Sequence, residues 1–295
     1  MEEEYGKQMK SKFQEAFNAF ETAPTTEEIA AIITKAKANH HEYFTTKAWA
    51  NKAHSFMDLT LLTSLDSTDD VYRLVQGVNE TDDNHPDILP VASICVYPNY
   101  AKTVKENLTA EEVRVTSVAG GFPSAQTFPE VKIAEIGLAV ADGADEIDVV
   151  LPLGDFMMGN YLEVVDQLKE MKDACKSSTL KVILETSALK TPENIQRASI
   201  LSLFSDADFI KTSTGKDYPG ASLEAAVVMA RVLKQYDRLY GKKRGLKIAG
   251  GVKTFEQAID YMCVVKEILG EEWLTPELFR FGATSLEKDL FKILK

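Results

Sequence analysis

Side chains that bind metals or form disulfides are scarce in this chain. Its 295 residues include three cysteines and four histidines. Cys95, Cys175 and Cys263 are widely spaced and form no Cys-x-x-Cys pair, which argues against a disulfide framework and a thiolate metal site. Three of the histidines precede position 55. The rest of the chain has almost no imidazole for a transition metal or a Ser-His relay, and we expect no metal and no cofactor.

Long apolar runs and excess positive charge are also lacking. No apolar stretch approaches the length of a membrane span, and the first residues, MEEEYGKQMK, are acidic where a secretory signal would be basic and then apolar. The formal net charge of -12 disfavours nucleic acids and anionic membranes as partners. We therefore expect a cytoplasmic protein that binds neither nucleic acid nor membrane.

The sequence does contain a regular alternation of short apolar, β-branched segments with longer amphipathic ones. Eight such alternations in a chain of this length predict a single (β/α)8 barrel of the α/β class. A doubly wound sheet is the alternative, but the sequence has no dinucleotide-binding glycine fingerprint near its first strand. The predicted strands cover residues 55–62, 92–98, 113–120, 146–152, 180–186, 207–214, 245–252 and 279–285.

Hydroxyl residues followed by acidic or amide residues predict helix starts between these strands. Four such starts are Thr109-x-x-Glu112, Thr191-Pro192-Glu193, Thr254-x-x-Gln257 and Thr275-Pro276-Glu277.

Residues 1–50 are predicted to form a helical extension packed on the barrel, which would occupy residues 51–295. Phenylalanines recur at helical spacing within residues 13–20. Thr25-x-x-Glu28 marks the start of a second helix. Such an extension is expected to cap the bottom of the barrel or to pack in a dimer.

The most informative segment is FIKTSTGK, residues 209–216, in which a lysine ends an apolar strand directly before a glycine-containing loop. Strand alternation places Lys211 on the same face as Phe209 and Ser213, in a strand that is expected to be covered on both faces. A buried ammonium is costly unless it loses its charge or finds a partner. A catalytic amine is one explanation. The alternative is a lysine whose stem is buried and whose ammonium reaches solvent or an acid.

Other strands carry polar residues where a barrel is usually filled with branched apolar side chains. Asp58 and Thr60 lie in the first predicted strand, Asp148 in the fourth and Lys247 in the seventh. Each has a structural alternative when taken singly: a loop-facing cap for Asp58, one acid of an acidic run for Asp148, and a surface lysine for Lys247. Together with Lys211 they predict an active site at the carboxyl ends of the strands.

Two lysines on adjacent strands favour a Schiff-base mechanism. Adjacent strands lie about 5 Å apart, so a second ammonium and partial desolvation both lower the pKa of Lys211 from its usual value of about 10.4. A neutral amine attacks a carbonyl, and the protonated imine then holds a carbanion as an enamine. Asp148 is predicted to move the protons, directly or through water. This is the chemistry of a class I aldolase, which needs no metal.

Glycine-containing loops after strands six, seven and eight predict a phosphate site. Glycine lets backbone N–H groups approach an anion closely, and the start of the last helix adds its positive end. This is also the usual phosphate position in such barrels. The loops cover residues 213–216, 249–252 and 282–285.

Seven segments resemble the deoxyribose-phosphate aldolase family, over approximately residues 54 to 290. They are FMDLTLL, CVYP, GADEIDVV, KVILET, ADFIKTSTGK, LKIAGGV and RFGATSL. The resemblance implies a carbon–carbon lyase that reversibly cleaves 2-deoxy-D-ribose 5-phosphate into D-glyceraldehyde 3-phosphate and acetaldehyde, in deoxynucleoside catabolism. It also implies a homodimer.

The resemblance further implies roles for individual residues. Lys211 would form the Schiff base, Lys247 would tune it and Asp148 would relay protons. The residues lining the substrate pocket would be Asp58, Thr60 and Cys95. The residues surrounding the phosphate would be Gly215, Lys216, Gly250, Gly251, Thr284 and Ser285.

Two other functions are compatible with these residues. A different Schiff-base aldolase, acting on a keto-sugar phosphate, would share the lysine and would be detected by activity on longer keto-sugar phosphates. A non-catalytic sugar-phosphate-binding barrel would use the lysines only to hold an anion, and it would bind substrate without a borohydride-trappable adduct.

Overall fold

Eight parallel strands close into one barrel in the computed structural model, which describes residues 12–295. The strands pair in chain order, and the last pairs with the first. The predicted (β/α)8 barrel is confirmed, and the closed order excludes the doubly wound sheet. The strands are β1 (Met57–Thr60), β2 (Ser93–Val96), β3 (Arg114–Val118), β4 (Glu146–Val150), β5 (Thr179–Ile183), β6 (Phe209–Lys211), β7 (Gly245–Ala249) and β8 (Phe279–Ala283).

Helices separate the strands and follow the last one. Those with defined bounds are α1 (Thr26–Phe44), α2 (Lys47–Ser55), α3 (Thr68–Asn84), α4 (Ala101–Asn107), α5 (Pro129–Ala141), α6 (Leu153–Met157), α7 (Tyr161–Cys175), α8 (Thr186–Leu189), α9 (Pro192–Phe204), α10 (Leu223–Tyr240), α11 (Phe255–Ile268) and α12 (Ser285–Leu294). Residues 12–18 are also helical. Two short 3-10 helices, Pro98–Tyr100 and Glu271–Trp273, lie after β2 and before β8.

Helix starts follow the local sequence signals where the chain leaves room for a helix. Thr25, Thr191 and Thr254 each accept a hydrogen bond from a backbone N–H of the first turn of α1, α9 and α11, so these three predictions are confirmed. The predicted starts at Thr109 and Thr275 are wrong. Both residues lie in short loops that lead directly into β3 and β8, with too few residues left for a helix and a loop.

The described part of the N-terminal segment lies against the outer helices of the barrel. α1 packs on α10 and α11, and Lys37 of α1 donates to Asp260 of α11 at 2.8 Å. α2 packs on α12. The predicted boundary between residues 50 and 51 falls inside α2, so one helix spans both predicted segments. Residues 1–11 of the predicted extension lie outside the described residues.

Strand register determines which side chains meet inside the barrel. Asp148 of β4 lies beside Lys181 of β5, and Lys211 of β6 lies beside Lys247 of β7. Residues at the intervening positions, such as Ile210, are apolar and buried in the main hydrophobic core. Alternation along each strand therefore places the polar residues on the inner face and the apolar residues under the helices.

Candidate active site

Asp148 lies at the centre of a buried group of charges inside the barrel. Its Oδ2 accepts hydrogen bonds from Lys211 Nζ and Lys247 Nζ, each at 2.7 Å, and its Oδ1 accepts one from Lys181 Nζ at 3.0 Å. Burial alone would raise the pKa of Asp148, but the three ammonium groups hold it well below its usual range. The structure thus brings the three predicted catalytic residues into direct contact, with Asp148 ionised.

The two paired lysines have different surroundings. Lys247 Nζ lies 2.5 Å from Asp58 Oδ2 in addition to its contact with Asp148. Burial alone would lower the pKa of Lys247, but the two carboxylates hold it well above its usual range. Burial does lower the pKa of Lys211, and the nearby Lys247 ammonium adds to this effect while Asp148 opposes it. Lys211 is therefore the lysine that loses its proton more readily.

Lys211 also reaches a cavity of about 270 Å³ at the carboxyl ends of the strands. The side chain itself is buried, with 3% of the residue exposed. The loops after β1, β6, β7 and β8 form the other walls. The predicted site residues that line the cavity are Lys211, Thr60, Gly215, Lys216, Gly250, Gly251, Thr284 and Ser285.

Glycines bring the loop after β6, which continues past the predicted phosphate residues 213–216 to Gly220, into contact with the predicted phosphate loop after β7. A Cβ atom added at Gly220 would lie 2.2 Å from the carbonyl oxygen of Gly250. The N–H of Ala221 donates to that oxygen at 2.9 Å. Gly250 and Gly251 have φ values of 85° and 93°, a region that favours glycine. Successive backbone N–H groups in such a turn form a concave surface that suits an anion.

The third predicted phosphate loop ends at α12. Thr284 donates its hydroxyl to the carbonyl of Thr60 at 2.6 Å rather than capping the helix. Ser285 is the first residue of α12 and lines the cavity, so the positive end of the helix dipole lies at the cavity wall. Lys216 Nζ, which donates to the carbonyl of Leu62, adds a positive charge. The cavity can therefore hold an anionic group at one side and present an amine at another.

Comparison with known proteins shows the family to which this chain belongs. Residues 53–272 match the DeoC/LacD family of aldolases. This chain belongs to that family. The chain is 42% identical over 268 residues to a putative deoxyribose-phosphate aldolase of Caenorhabditis elegans, covering 90% of this chain and 88% of that protein. It is 37% identical to the deoxyribose-phosphate aldolase of Homo sapiens, covering 82% of this chain and 80% of that protein.

Solved structures of deoxyribose-phosphate aldolases are also similar to this chain. The structure of a putative deoxyribose-phosphate aldolase from Coccidioides immitis is similar with a TM-score of 0.70 and 25% identity, covering 92% of this chain and 98% of that one. A deoxyribose phosphate aldolase from Aeropyrum pernix, described as a tetramer, has a TM-score of 0.63 and 25% identity, covering 92% and 100% of the two chains. The shared fold and sequence support the reading of this chain as a class I aldolase.

Two predicted substrate-pocket residues of this aldolase are not part of the cavity lining. Asp58 is fully buried, and its carboxylate lies 2.5 Å from both Lys247 Nζ and Arg280 Nη1. Cys95 is fully buried in an apolar cluster with Leu62, and burial raises the pKa of its thiol. In the structure Asp58 is a counter-ion among the buried charges and Cys95 is part of an apolar wall. Their predicted places in the substrate pocket stay predictions.

Three further charged residues lie in the barrel interior and were not among the predicted site residues: Lys181, Glu146 and Arg280. Lys181 Nζ lies 2.5 Å from Glu146 Oε2, and Arg280 Nη2 lies 2.8 Å from Glu146 Oε1. Each is nearly or fully buried. The signal was present in the sequence, since each occupies an inward position of a strand, as Lys211 does.

Glu185, which lies between β5 and α8, was also not among the predicted site residues. It is buried with a φ of 53°, which is strained for a residue other than glycine. Its carboxylate accepts from Thr214 Oγ1 at 2.5 Å and from Thr214 N at 3.2 Å. Burial raises the pKa of Glu185 despite these hydrogen bonds. Glu185 thereby holds the start of the loop that contains Gly215 and Lys216.

Within residues 12–295, no group of three or more His, Cys, Asp and Glu side chains could hold a metal ion. In the same part of the chain, no helix combines the length and the apolar composition that a membrane crossing requires. The metal-free mechanism and the lack of a membrane partner stay predictions.

Proposed function

We propose that this aldolase reversibly cleaves 2-deoxy-D-ribose 5-phosphate into D-glyceraldehyde 3-phosphate and acetaldehyde through a Schiff base on Lys211. The observation that carries the proposal is the position of Lys211 Nζ, which reaches the cavity and lies 2.7 Å from Asp148 Oδ2. Of the three lysines that line the cavity, Lys211, Lys216 and Lys253, it is the one bound to a buried carboxylate.

The reaction begins with the neutral amine of Lys211. The amine attacks C1 of the open-chain sugar, and loss of water gives an iminium ion. Removal of the proton from the C3 hydroxyl then lets the C2–C3 bond break. The electron pair of that bond moves into the iminium to give an enamine, and C3 becomes the aldehyde of glyceraldehyde 3-phosphate. Protonation of the enamine carbon and hydrolysis of the imine release acetaldehyde and restore the amine.

Asp148 and Lys247 are placed to manage the protons and charge of these steps. Asp148 accepts a hydrogen bond from the nitrogen that becomes the imine, so it is positioned to exchange a proton with that atom directly or through water. Lys247 stays protonated between Asp58 and Asp148 and disfavours the ammonium form of Lys211.

The phosphate of the substrate is proposed to bind at the three glycine-containing loops. Gly215 and Lys216, Gly250 and Gly251, and Thr284 and Ser285 supply N–H groups, hydroxyls and an ammonium on the cavity wall. The similarity to deoxyribose-phosphate aldolases supports this substrate, and so does a cavity lined by both the Lys211 amine and the glycine-containing loops.

The expected homodimer and cytoplasmic location are further proposals, and the pathway would be deoxynucleoside catabolism. Sedimentation equilibrium tests the homodimer, and a tetramer, as described for the Aeropyrum pernix protein, is the competing outcome. Cell fractionation tests the location.

Reductive trapping tests the proposed chemistry. The protein is incubated with acetaldehyde and borohydride, and the modified lysine is identified by peptide mass spectrometry. We expect an ethyl group on Lys211, its loss in Lys211→Leu, and its retention in the control Lys216→Leu. Lys211→Leu should also abolish cleavage of 2-deoxy-D-ribose 5-phosphate while the protein stays folded, because leucine supplies a similar buried volume.

Three outcomes count against the proposal. An adduct confined to Lys216 or Lys247 would move the Schiff base elsewhere. Cleavage of longer keto-sugar phosphates in preference to the deoxy sugar would favour a different Schiff-base aldolase. Binding of the sugar phosphate without any adduct or turnover would favour a non-catalytic sugar-phosphate-binding barrel.

A further inference from the structure

The buried charges of the barrel interior do not balance. The cluster holds three acids and four bases, all with 3% exposure or less, and each lies within 4 Å of an opposite charge. Its members are Asp58, Glu146, Asp148, Lys181, Lys211, Lys247 and Arg280. Buried charges are tolerated when they are paired. One of the four bases therefore has no acid of its own.

The contacts identify Lys211 as the base in surplus. Lys181, Lys247 and Arg280 each contact two or three of the buried carboxylates. Lys211 contacts one buried carboxylate, that of Asp148, and does so at the oxygen that also accepts from Lys247.

Glu146 takes part in this balance as a charged group. Burial alone would raise its pKa, but Lys181 and Arg280 hold the pKa of Glu146 at about 2. Neither Glu146 nor Lys181 belongs to the cavity lining. Lys181 contacts Asp148 Oδ1 at 3.0 Å, and Lys211 contacts Oδ2 of the same carboxylate. Glu146 is connected to Lys211 through Lys181 and Asp148.

Other titratable groups approach Lys211 from neighbouring elements. Cys95 of β2 is a buried thiol whose pKa burial raises, so it stays neutral. Glu185, after β5, binds Thr214 through its carboxylate and forms no ion pair with a lysine of the cluster, although it lies close enough to Lys211 to attract its positive charge. Arg114 pairs with Glu146 from the opposite end, but its side chain is 45% exposed and is therefore screened by solvent.

We propose that Lys181 and Glu146 are positioning residues that set the protonation state of Lys211 through the charge balance of the barrel interior. The proposal rests on the proposed Schiff-base role of Lys211. Loss of the Glu146 charge enlarges the positive surplus and favours the neutral amine of Lys211. Loss of the Lys181 charge removes the surplus, so that the ammonium of Lys211 becomes the needed partner of Asp148.

Opposite charge changes in one ion pair test this inference. The variants are Glu146→Gln, Lys181→Met and the double variant, which removes the pair that lies 2.5 Å apart and restores the original balance. Replacing both members of a buried pair is tolerated better than removing one. Lys172→Met is the matched control, because Lys172 of α7 pairs with Asp208, directly before β6 and outside the cluster.

The readout is the pKa of Lys211 itself, measured from the pH dependence of its acetylation by trace acetic anhydride and quantified by peptide mass spectrometry. We expect Lys181→Met to raise this pKa by about two units, the size expected for a unit charge roughly 6 Å away at an effective dielectric constant of about 20. Glu146→Gln should lower it by a similar amount. The double variant and Lys172→Met should lie close to the unmodified protein.

The inference would be overturned if the Lys211 pKa were the same in the unmodified protein, both single variants and the double variant. Shifts of the same sign in both single variants would also overturn it. If Lys181→Met does not fold, Glu146→Gln and the double variant still decide, because the Lys211 pKa in the double variant must then be about two units higher than in Glu146→Gln. Trapping with acetaldehyde and borohydride, done in parallel, separates the two claims. A Lys211 adduct with unshifted pKa values contradicts only the charge balance, whereas the lack of any Lys211 adduct contradicts the proposed function.

Discussion

Lys211 and Lys247 donate to the same atom, Asp148 Oδ2, at 2.7 Å each. Two ammonium groups at one oxygen repel each other, and the group with more acidic partners holds its proton more strongly. Lys247 has Asp58 as a second partner, whereas Lys211 does not. The pKa values of two adjacent lysines are therefore pushed in opposite directions, which separates a nucleophile from a fixed positive charge.

Removal of the Lys247 ammonium should change the pH dependence of catalysis. In Lys247→Leu, the pKa of Lys211 should rise because a neighbouring ammonium is lost. The neutral amine then forms only at higher pH, so the rising limb of the kcat/KM profile should move upward and activity at neutral pH should fall. Steady-state assays across pH measure the shift.

Lys253→Leu is the control for this prediction, since Lys253 lines the cavity but is exposed and lies outside the buried charges. Its pH profile should keep its position. If Lys247→Leu keeps the original profile and only binds the phosphorylated sugar more weakly, Lys247 is a ligand for the anion instead.

Asp148→Asn tests the proton relay. The amide keeps the shape of the side chain but no longer accepts a proton from the Lys211 nitrogen, so kcat should fall by about 10²- to 10⁴-fold. The variant also leaves Lys181, Lys211 and Lys247 without a shared carboxylate, and a circular dichroism melt must show that it still folds. Near-normal turnover in a folded variant would assign the proton transfer to Glu185 or to water.

The fold was predictable from the sequence because each strand of a parallel barrel is a short apolar run with turn signals on both sides. Lys211 and Asp148 were predictable for the same reason, since a charge stands out in such a run. The other members of the buried cluster, Lys181, Glu146 and Arg280, were not. Asp148 and Lys181 are 33 residues apart, and Glu146 and Arg280 are 134 apart, so these contacts depend on the register and closure of the whole barrel.

The sequence also could not predict which inward-facing residues reach the cavity at the end of the barrel. Alternation assigned Asp58 to the inner face, but whether an inner residue reaches the cavity depends on the stagger of the strands. Thr60 lies two residues further along the same strand and does line the cavity. A pattern with a period of two predicts which face of a strand a residue lies on, but not how close to the carboxyl end of the barrel it lies.

Gly220→Ala tests the contact between the loop after β6 and the proposed phosphate loop after β7. The new Cβ would lie 2.2 Å from Gly250 O and 2.8 Å from Gly250 Cα, so the loop after β7 must move. We expect a stability loss of about 1–3 kcal/mol and a higher KM for 2-deoxy-D-ribose 5-phosphate. Thermal melts and initial rates measure the two effects.

Gly137→Ala provides the matched control, because the added Cβ meets nothing within 4 Å in the interior of α5. That variant should gain up to about 1 kcal/mol and keep its KM. An unchanged KM in a folded Gly220→Ala protein would show that the position of Gly250 does not matter for substrate binding.

Exhaustive dialysis against a chelator should leave the rate unchanged, because the proposed chemistry stabilises the carbanion through the imine of Lys211 rather than through a Lewis acid. The measurement is the cleavage rate before and after dialysis, with metal added back to a second sample. Inactivation that added metal reverses would overturn the class I reading.

Recognition of an anionic sugar by a protein with a formal charge of -12 must come from local donors. Ser285→Asp places a carboxylate at the start of α12, where the phosphate dianion is proposed to bind, and should raise the KM for 2-deoxy-D-ribose 5-phosphate by about tenfold or more. The KM for free 2-deoxyribose, which we expect to be a poorer substrate, should change far less. Ser177→Asp adds the same charge at an exposed position before β5 and should leave both constants unchanged. If Ser285→Asp affects both sugars equally, the phosphate does not bind at the start of α12.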